Sequence, residues 1–200
     1  MEKKIIFSSD NFRIAGLLDM NKGDKGVVVT HPHPVYGGDM YNFVVESIVN
    51  TYKKKGYATL RFNFRGTGES GGSYDNGIGE QNDVHSALSY LLSKGIKQVD
   101  LAGYSFGAWV NALAARNEIA AQNTILVSPP VGFLDFKNIS SITGLRLVVT
   151  GSFDDIAPPD LIKKMLPAWN KNARFEVVKG ANHFYSGYEK TLESILSLNI

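Results

Sequence analysis

The sequence contains no cysteine, which excludes a disulfide framework, a thiolate metal site and a cysteine nucleophile together. Long hydrophobic runs are missing too, and nothing approaches the roughly 18 apolar residues of a membrane-spanning helix. The opening stretch MEKKIIFSSDNF turns polar after three apolar residues, too soon for the core of a signal peptide. A membrane is therefore not an expected partner, and a reducing, cytoplasmic setting fits these absences. The chain also lacks an excess of charge. Its 21 Lys and Arg nearly cancel 19 Asp and Glu, and the two halves divide 12 against 11 and 9 against 8, so neither half reads as a surface for nucleic acid. The one basic run, Lys53-Lys54-Lys55, falls where a helix should end, and cations there offset the negative end of the helix dipole.

What is present is ordinary globular composition, with 44% hydrophobic and 20% charged residues in 200. A chain of this size buries about 70% of its unfolded surface on folding, and one domain over residues 1–200 is the expectation. Residues 3–8 and 12–18 alternate apolar and polar around the turn-forming SSDN, which predicts an antiparallel hairpin. GVVVTH is a β-branched run suited to a strand buried on both faces. YNFVVESIVNTYKKKG then places Tyr41, Val44, Val45, Ile48, Val49 and Tyr52 on one helical face, and Gly56 stops it. The alternation continues with strand YATLRF, helix 78–95, strand QVDLAG, helix 106–117, strand NTILVS, strand LRLVVTG, helix 158–170, strand ARFEVV and a helix over 185–198. Repeated strand–helix–strand units predict a mainly parallel sheet of about eight strands with helices on both faces.

GTGES, after strand YATLRF, belongs to a G-x-G-x-x-G cluster, Gly66-Thr67-Gly68-Glu69-Ser70-Gly71. Such a cluster holds a dinucleotide only when a helix opens from it and an acid follows about 20 residues on. Here the helix begins only near Ile78 and no acid closes a following strand, so a nucleotide-dependent oxidoreductase rests on the glycines alone. LAGYSFGAW is more informative. It is G-x-S-x-G, with Gly103, Ser105 and Gly107 between a predicted strand and a predicted helix. A serine at the apex of that turn has its hydroxyl pushed above the sheet, its neighbours two residues away must be tiny, and the amides that follow are free donors at a helix N-terminus.

A serine hydroxyl needs a base to remove its proton, and the base needs a carboxylate to fix its tautomer. Of the four histidines, His85 falls in a polar helix as a solvated residue, whereas His31 and His33 end strand GVVVT. His183 follows the last strand and opens the final helix, at the sheet edge that carries Ser105. Asp154 and Asp155 leave strand LRLVV at the same edge. Read as Ser105, Asp154, His183, the chain order of nucleophile, acid and base is that of one serine-hydrolase plan and differs from the others.

With these residues in hand, the whole chain resembles the α/β-hydrolase superfamily, and within it small bacterial hydrolases without a cap domain, similar to dienelactone hydrolases, whose loop after the first parallel strand reads H-P-H-P-x-x-G-G. Here that loop is His31-Pro32-His33-Pro34-Val35-Tyr36-Gly37-Gly38. The resemblance implies an oxyanion hole made by the amide of Phe106 and one amide of this loop. Pro32 and Pro34 have no N–H, which puts His33 first and Tyr36 second. The His31 and His33 pair lacks a third ligand nearby, so no metal is expected and the two side chains should brace the loop. RFNFRGTGES matches a structural turn of the superfamily at Arg65, Gly66, Gly68 and Ser70. Family spacing after Gly151 selects Asp154 as the acid. Some relatives carry the acid after the preceding strand, where this chain has Asp135.

The expected activity is hydrolysis of a small carboxylic ester or thioester through an acyl-enzyme on Ser105, with no cofactor and a small acyl compound as partner. Only PPVGFLDFKNISSITG joins strand NTILVS to strand LRLVV, which leaves no room for a helical lid. Tyr36, Tyr104 and Phe184 are the expected substrate-binding aromatics, and Phe106, Phe133, Phe153 and Tyr185 fall near the same edge. A ligand-binding protein on the same fold is the alternative, and it would have no need of Ser105, Asp154 and His183 together.

Overall fold

The computed structural model describes residues 1–21, 23–116 and 119–200. The two alternating segments become β1 (Lys3–Ser9) and β2 (Phe12–Asp19), antiparallel from Lys3 opposite Leu18 to Ser9 opposite Phe12. Asp10, at φ 50°, makes the turn between them, in a conformation Asp tolerates better than most side chains. The apolar run becomes β3 (Lys25–Thr30), and Val27, Val28 and Val29 are all fully buried.

Successive strand side chains point to opposite faces, so such a run needs cover on both. Val27 and Val29 pack with Val45, Ile48 and Tyr52 of α1 (Phe43–Lys54) and with Leu192 and Leu196 of α5 (Glu189–Asn199). Val28 packs on the other side with Val84, Leu88 and Leu91 of α2 (Gly79–Ser93) and Val110 of α3 (Phe106–Ala114). Further along that second side, α4 (Pro159–Asn170) buries Ile162 and Trp169 against Leu126 and Val148.

The remaining strands are β4 (Ala58–Phe62), β5 (Gln98–Tyr104), β6 (Thr124–Val127), β7 (Leu145–Gly151) and β8 (Arg174–Val178). They join one eight-stranded sheet in the order β1-β2-β4-β3-β5-β6-β7-β8. β2 runs antiparallel to both β1 and β4, and every later pairing is parallel. From β3 the chain goes outward to β4 and then returns past it to β5, so the loops leaving β3 and β5 diverge and open a crevice at the carboxyl edge of the strands. Among the described residues no helix is long and apolar enough to cross a membrane.

Two element boundaries differ from the sequence reading. The last helix begins at Glu189, because Tyr185 at φ 55° and Gly187 at φ 81° interrupt helical backbone, and His183 therefore sits in a loop. α3 stops at Ala114, and Asn117, the expected end, lies outside the described residues.

The glycine cluster is a turn built around a buried ion pair. Arg65 donates from Nη2 to Asp83 at 2.7 Å and to Asp10 at 2.9 Å, and Gly66 and Gly68 take φ of 73° and 55°. Ser70 Oγ donates to the Asn63 carbonyl at 2.7 Å and accepts from the Ala15 amide at 3.0 Å.

Candidate active site

Ser105 alone separates β5 from α3, and a one-residue reversal from strand to helix forces it to φ 55°, ψ −120°. A non-glycine residue held there carries about 1–3 kcal/mol of backbone strain. The tight turn brings β3 close. A Cβ on Gly103 would stand 2.4 Å from Thr30 Oγ1 and 2.8 Å from the Gly107 carbonyl carbon, and one on Gly107 would stand 2.6 Å from Thr30 Oγ1. The small residues are thus required as much by Thr30 as by each other.

The Ser105 hydroxyl lies 2.9 Å from His183 Nε2, and His183 Nδ1 lies 2.9 Å from both carboxylate oxygens of Asp154. An ionised carboxylate only accepts, so Nδ1 carries the proton and Nε2 is left to accept from Ser105. Asp154 is 1% exposed, and its Oδ1 also accepts from the amides of Ile156 at 3.0 Å and Ala157 at 2.7 Å. Burial works to raise its pKa, but the His183 hydrogen bond and charge and the Ala157 amide outweigh it and hold the carboxyl below its ordinary value. Asp155 is exposed, and exposed Asp135 accepts from the Lys137 amide at 2.8 Å, so neither joins this chain of bonds. His85 lies on α2, half-buried rather than solvated, where burial lowers its pKa.

The loop after β3 is braced from within. His31 is fully buried, accepts from the Phe64 amide at Nε2 (3.0 Å) and so presents Nδ1–H to the Pro32 carbonyl at 2.7 Å. Pro34–Tyr36 forms a short 3₁₀ turn. The Val35 amide donates to His33 Nδ1 at 3.3 Å, Tyr36 and Gly38 to the His33 carbonyl at 3.1 and 3.0 Å, and Gly37 to Pro34 at 3.0 Å. With the prolines lacking N–H, His33 has the one amide between Pro32 and Gly38 that makes no hydrogen bond among the described residues. Its ring packs 4.7 Å from that of Phe106, whose own amide precedes the first bond of α3, Trp109 N to Ser105 O at 3.1 Å. Among the described residues no three His, Asp or Glu side chains cluster as metal ligands.

A cavity of about 490 Å³ opens above Ser105, bordered by His33, Tyr36, Tyr104, Phe106, Phe133 and Phe184 among others. Tyr36, Phe133 and Phe184 are more than half exposed, whereas the Tyr104 and Phe106 rings are buried at its floor. Two of the expected aromatics are elsewhere: Phe153 is 69% exposed off the cavity, and Tyr185 is buried in the core.

The sequence pattern of the alpha/beta hydrolase family matches residues 27–191. The chain belongs to the alpha/beta hydrolase family. An uncharacterized protein of Rickettsia prowazekii is 31% identical over 168 residues, 79% of this hydrolase and 71% of the relative. Among solved structures, an alpha/beta serine hydrolase homologue from Coxiella burnetii superposes with a TM-score of 0.90 at 30% identity, covering 99% of this hydrolase and 97% of the other chain. A Xanthomonas campestris member described as an alpha/beta serine hydrolase without lid gives 0.91 at 26% identity, with 99% and 93% covered.

Three polar groups of this hydrolase make supporting contacts that the sequence reading did not include, although Tyr104 itself was expected at the site as a substrate-binding aromatic. Tyr104 donates its hydroxyl to the His183 carbonyl at 2.9 Å, anchoring the histidine loop to the residue before Ser105. Ser128, fully buried at φ 45° just past β6, pairs its hydroxyl with that of Tyr185 at 2.8 Å, and it adds to the influences that hold the Asp154 carboxyl below its ordinary value. Thr150 Oγ1 donates to Ala157 O at 2.7 Å and lies 3.3 Å from Asp154 Oδ2. All three are small or aromatic polar residues at strand ends, and their partners lie across loops that sequence spacing does not relate.

Proposed function

We propose that this alpha/beta hydrolase cleaves a small carboxylic ester or thioester through an acyl-enzyme on Ser105. The observation that carries the reading is the unbroken run of 2.9 Å contacts from Ser105 Oγ through the His183 ring to Asp154, at the floor of an open, mainly apolar cavity. His183 Nε2 takes the serine proton as Oγ bonds to the substrate carbonyl carbon, and Asp154 holds the required tautomer and balances the imidazolium that forms.

The carbonyl oxygen becomes an alkoxide in that step. The amides of Phe106 and His33 receive it, each worth about 3 kcal/mol judged from other enzymes. His183 then returns the proton to the departing oxygen or sulfur, and water repeats the sequence to release the acid. Two structural neighbours, an alpha/beta serine hydrolase homologue and an alpha/beta serine hydrolase without lid, support the chemistry, and the second supports an open site. So does the segment between β6 and β7, which contains no α-helix and buries Phe136, Ile139 and Ile142 under the sheet rather than over Ser105.

A fluorophosphonate probe tests this reading. Wild type should gain one covalent adduct that Ser105→Ala abolishes, and a folded wild-type chain that never labels would overturn it.

A further inference from the structure

Among the described residues, the cavity above Ser105 has no charged wall: none of those that line it is Asp, Glu, Lys or Arg. The polar side chains that border it apart from Ser105 and the two imidazoles, those of Asn42, Tyr36 and Tyr104, carry no carboxylate or ammonium. The carboxylate of Asp154 stands behind His183 and is 1% exposed. A carboxylate brought into this space would lose water and meet no cation. An ammonium would meet no carboxylate.

The apolar part of the wall has two sides. Tyr36 and Phe133 come from different loops and meet edge to face at 6.1 Å, 73% and 56% exposed, with Tyr36 also 4.9 Å from the His33 ring. Phe184, 57% exposed, stands against His183 at 5.7 Å. The general acid must reach the departing atom, so the leaving group belongs on the His183–Phe184 side and the acyl group on the Tyr36–Phe133 side. Aromatic rings left half bare offer faces and edges to another ring, a contact stronger than area alone supplies.

We infer that this hydrolase selects esters and thioesters whose acyl group is uncharged and aromatic, seated against Tyr36, Phe133 and Leu134. The inference rests on the acyl-transfer reading above.

The test compares p-nitrophenyl esters that share one leaving group: phenylacetyl, cyclohexylacetyl, monoglutaryl and a trimethylammonio-acyl ester. For wild type, kcat/KM for phenylacetyl should exceed that for cyclohexylacetyl by about 5–10-fold and that for either charged ester by about 100-fold. In Phe133→Ala the phenyl-to-cyclohexyl ratio should fall toward one, and Phe133→Tyr should retain it. If cyclohexylacetyl matches phenylacetyl, or a charged ester is turned over as well, while the fluorophosphonate still labels Ser105, the selectivity is overturned and the acyl-transfer reading stands. A wild type that neither labels nor hydrolyses any ester overturns both.

Discussion

Replacing Ser105 by glycine should make the protein more stable than replacing it by alanine, and both variants should be inactive. Ser105 holds φ 55°, ψ −120°, a region glycine enters freely and alanine does not. Both substitutions remove Oγ and its 2.9 Å bond to His183, so that loss cancels in the comparison. What differs is the backbone. Glycine relieves about 1–3 kcal/mol of strain, and it gives back about 0.4–1 kcal/mol through the greater freedom of the unfolded chain. Losing Cβ forfeits part of the ~0.8 kcal/mol of a buried methylene, since Ser105 borders the cavity.

The balance is about 1 kcal/mol in favour of glycine, or about 2–4 °C in a chain of this length. Thermal melts and urea titrations of Ser105→Gly and Ser105→Ala, run side by side, measure it directly. A glycine variant that melts at or below the alanine variant would show that the turn stores no strain, and the account of how the serine is presented would be wrong.

Other outcomes follow from the same geometry. Asp154→Asn should lower kcat by about 10⁴-fold through loss of the His183 tautomer, whereas Asp155→Asn and Asp135→Asn should stay within about twofold in the same ester assay, as expected for exposed residues away from such features. Tyr185→Phe removes the hydroxyl paired with Ser128 and should reduce kcat by about 3–10-fold with KM unchanged, the loss of one buried hydrogen bond behind Asp154. Burial pushes His31 from 6.5 down to about 4, against the opposing pull of the Pro32 carbonyl and Asp39 and with a small push from His33. The unfolded chain takes up that proton first, so the stabilisation is complete above pH 6.5 and is lost as pH falls from there toward 4, by about 3 kcal/mol. Urea midpoints across that range should fall accordingly in wild type and flatten in His31→Gln.

Periodicity located the strands and helices within a few residues, because burial on one or both faces leaves its imprint on every strand and helix. Sheet order has no such local imprint, and the placing of β3 between β4 and β5 is seen only in the fold. The nucleophile turn was legible for a steric reason: Gly103 and Gly107 have no alternative once Thr30 lies against them. Asp154 could be separated from Asp155 by family spacing, but the cause, two amides folding back onto one carboxylate oxygen, is visible only in the loop geometry.

Ser128 and Tyr185 were illegible for a different reason. A serine after a strand is common, Tyr185 was expected with the aromatics of the pocket edge, and their hydroxyls meet only because both backbones turn through positive φ. His31 fell between these cases. Its loop-bracing part was foreseeable from its position, while its bond to the Phe64 amide depends on β3 and β4 lying side by side.

The most direct measurement is the mass of the enzyme caught during turnover. Wild type quenched in acid while hydrolysing an excess of phenylacetyl ester should be heavier by one acyl group, with the added mass on the peptide that contains Ser105. An adduct on a different residue, or steady hydrolysis with no acylated protein at any quench time while release of the acid is the slow step, would contradict covalent catalysis by Ser105.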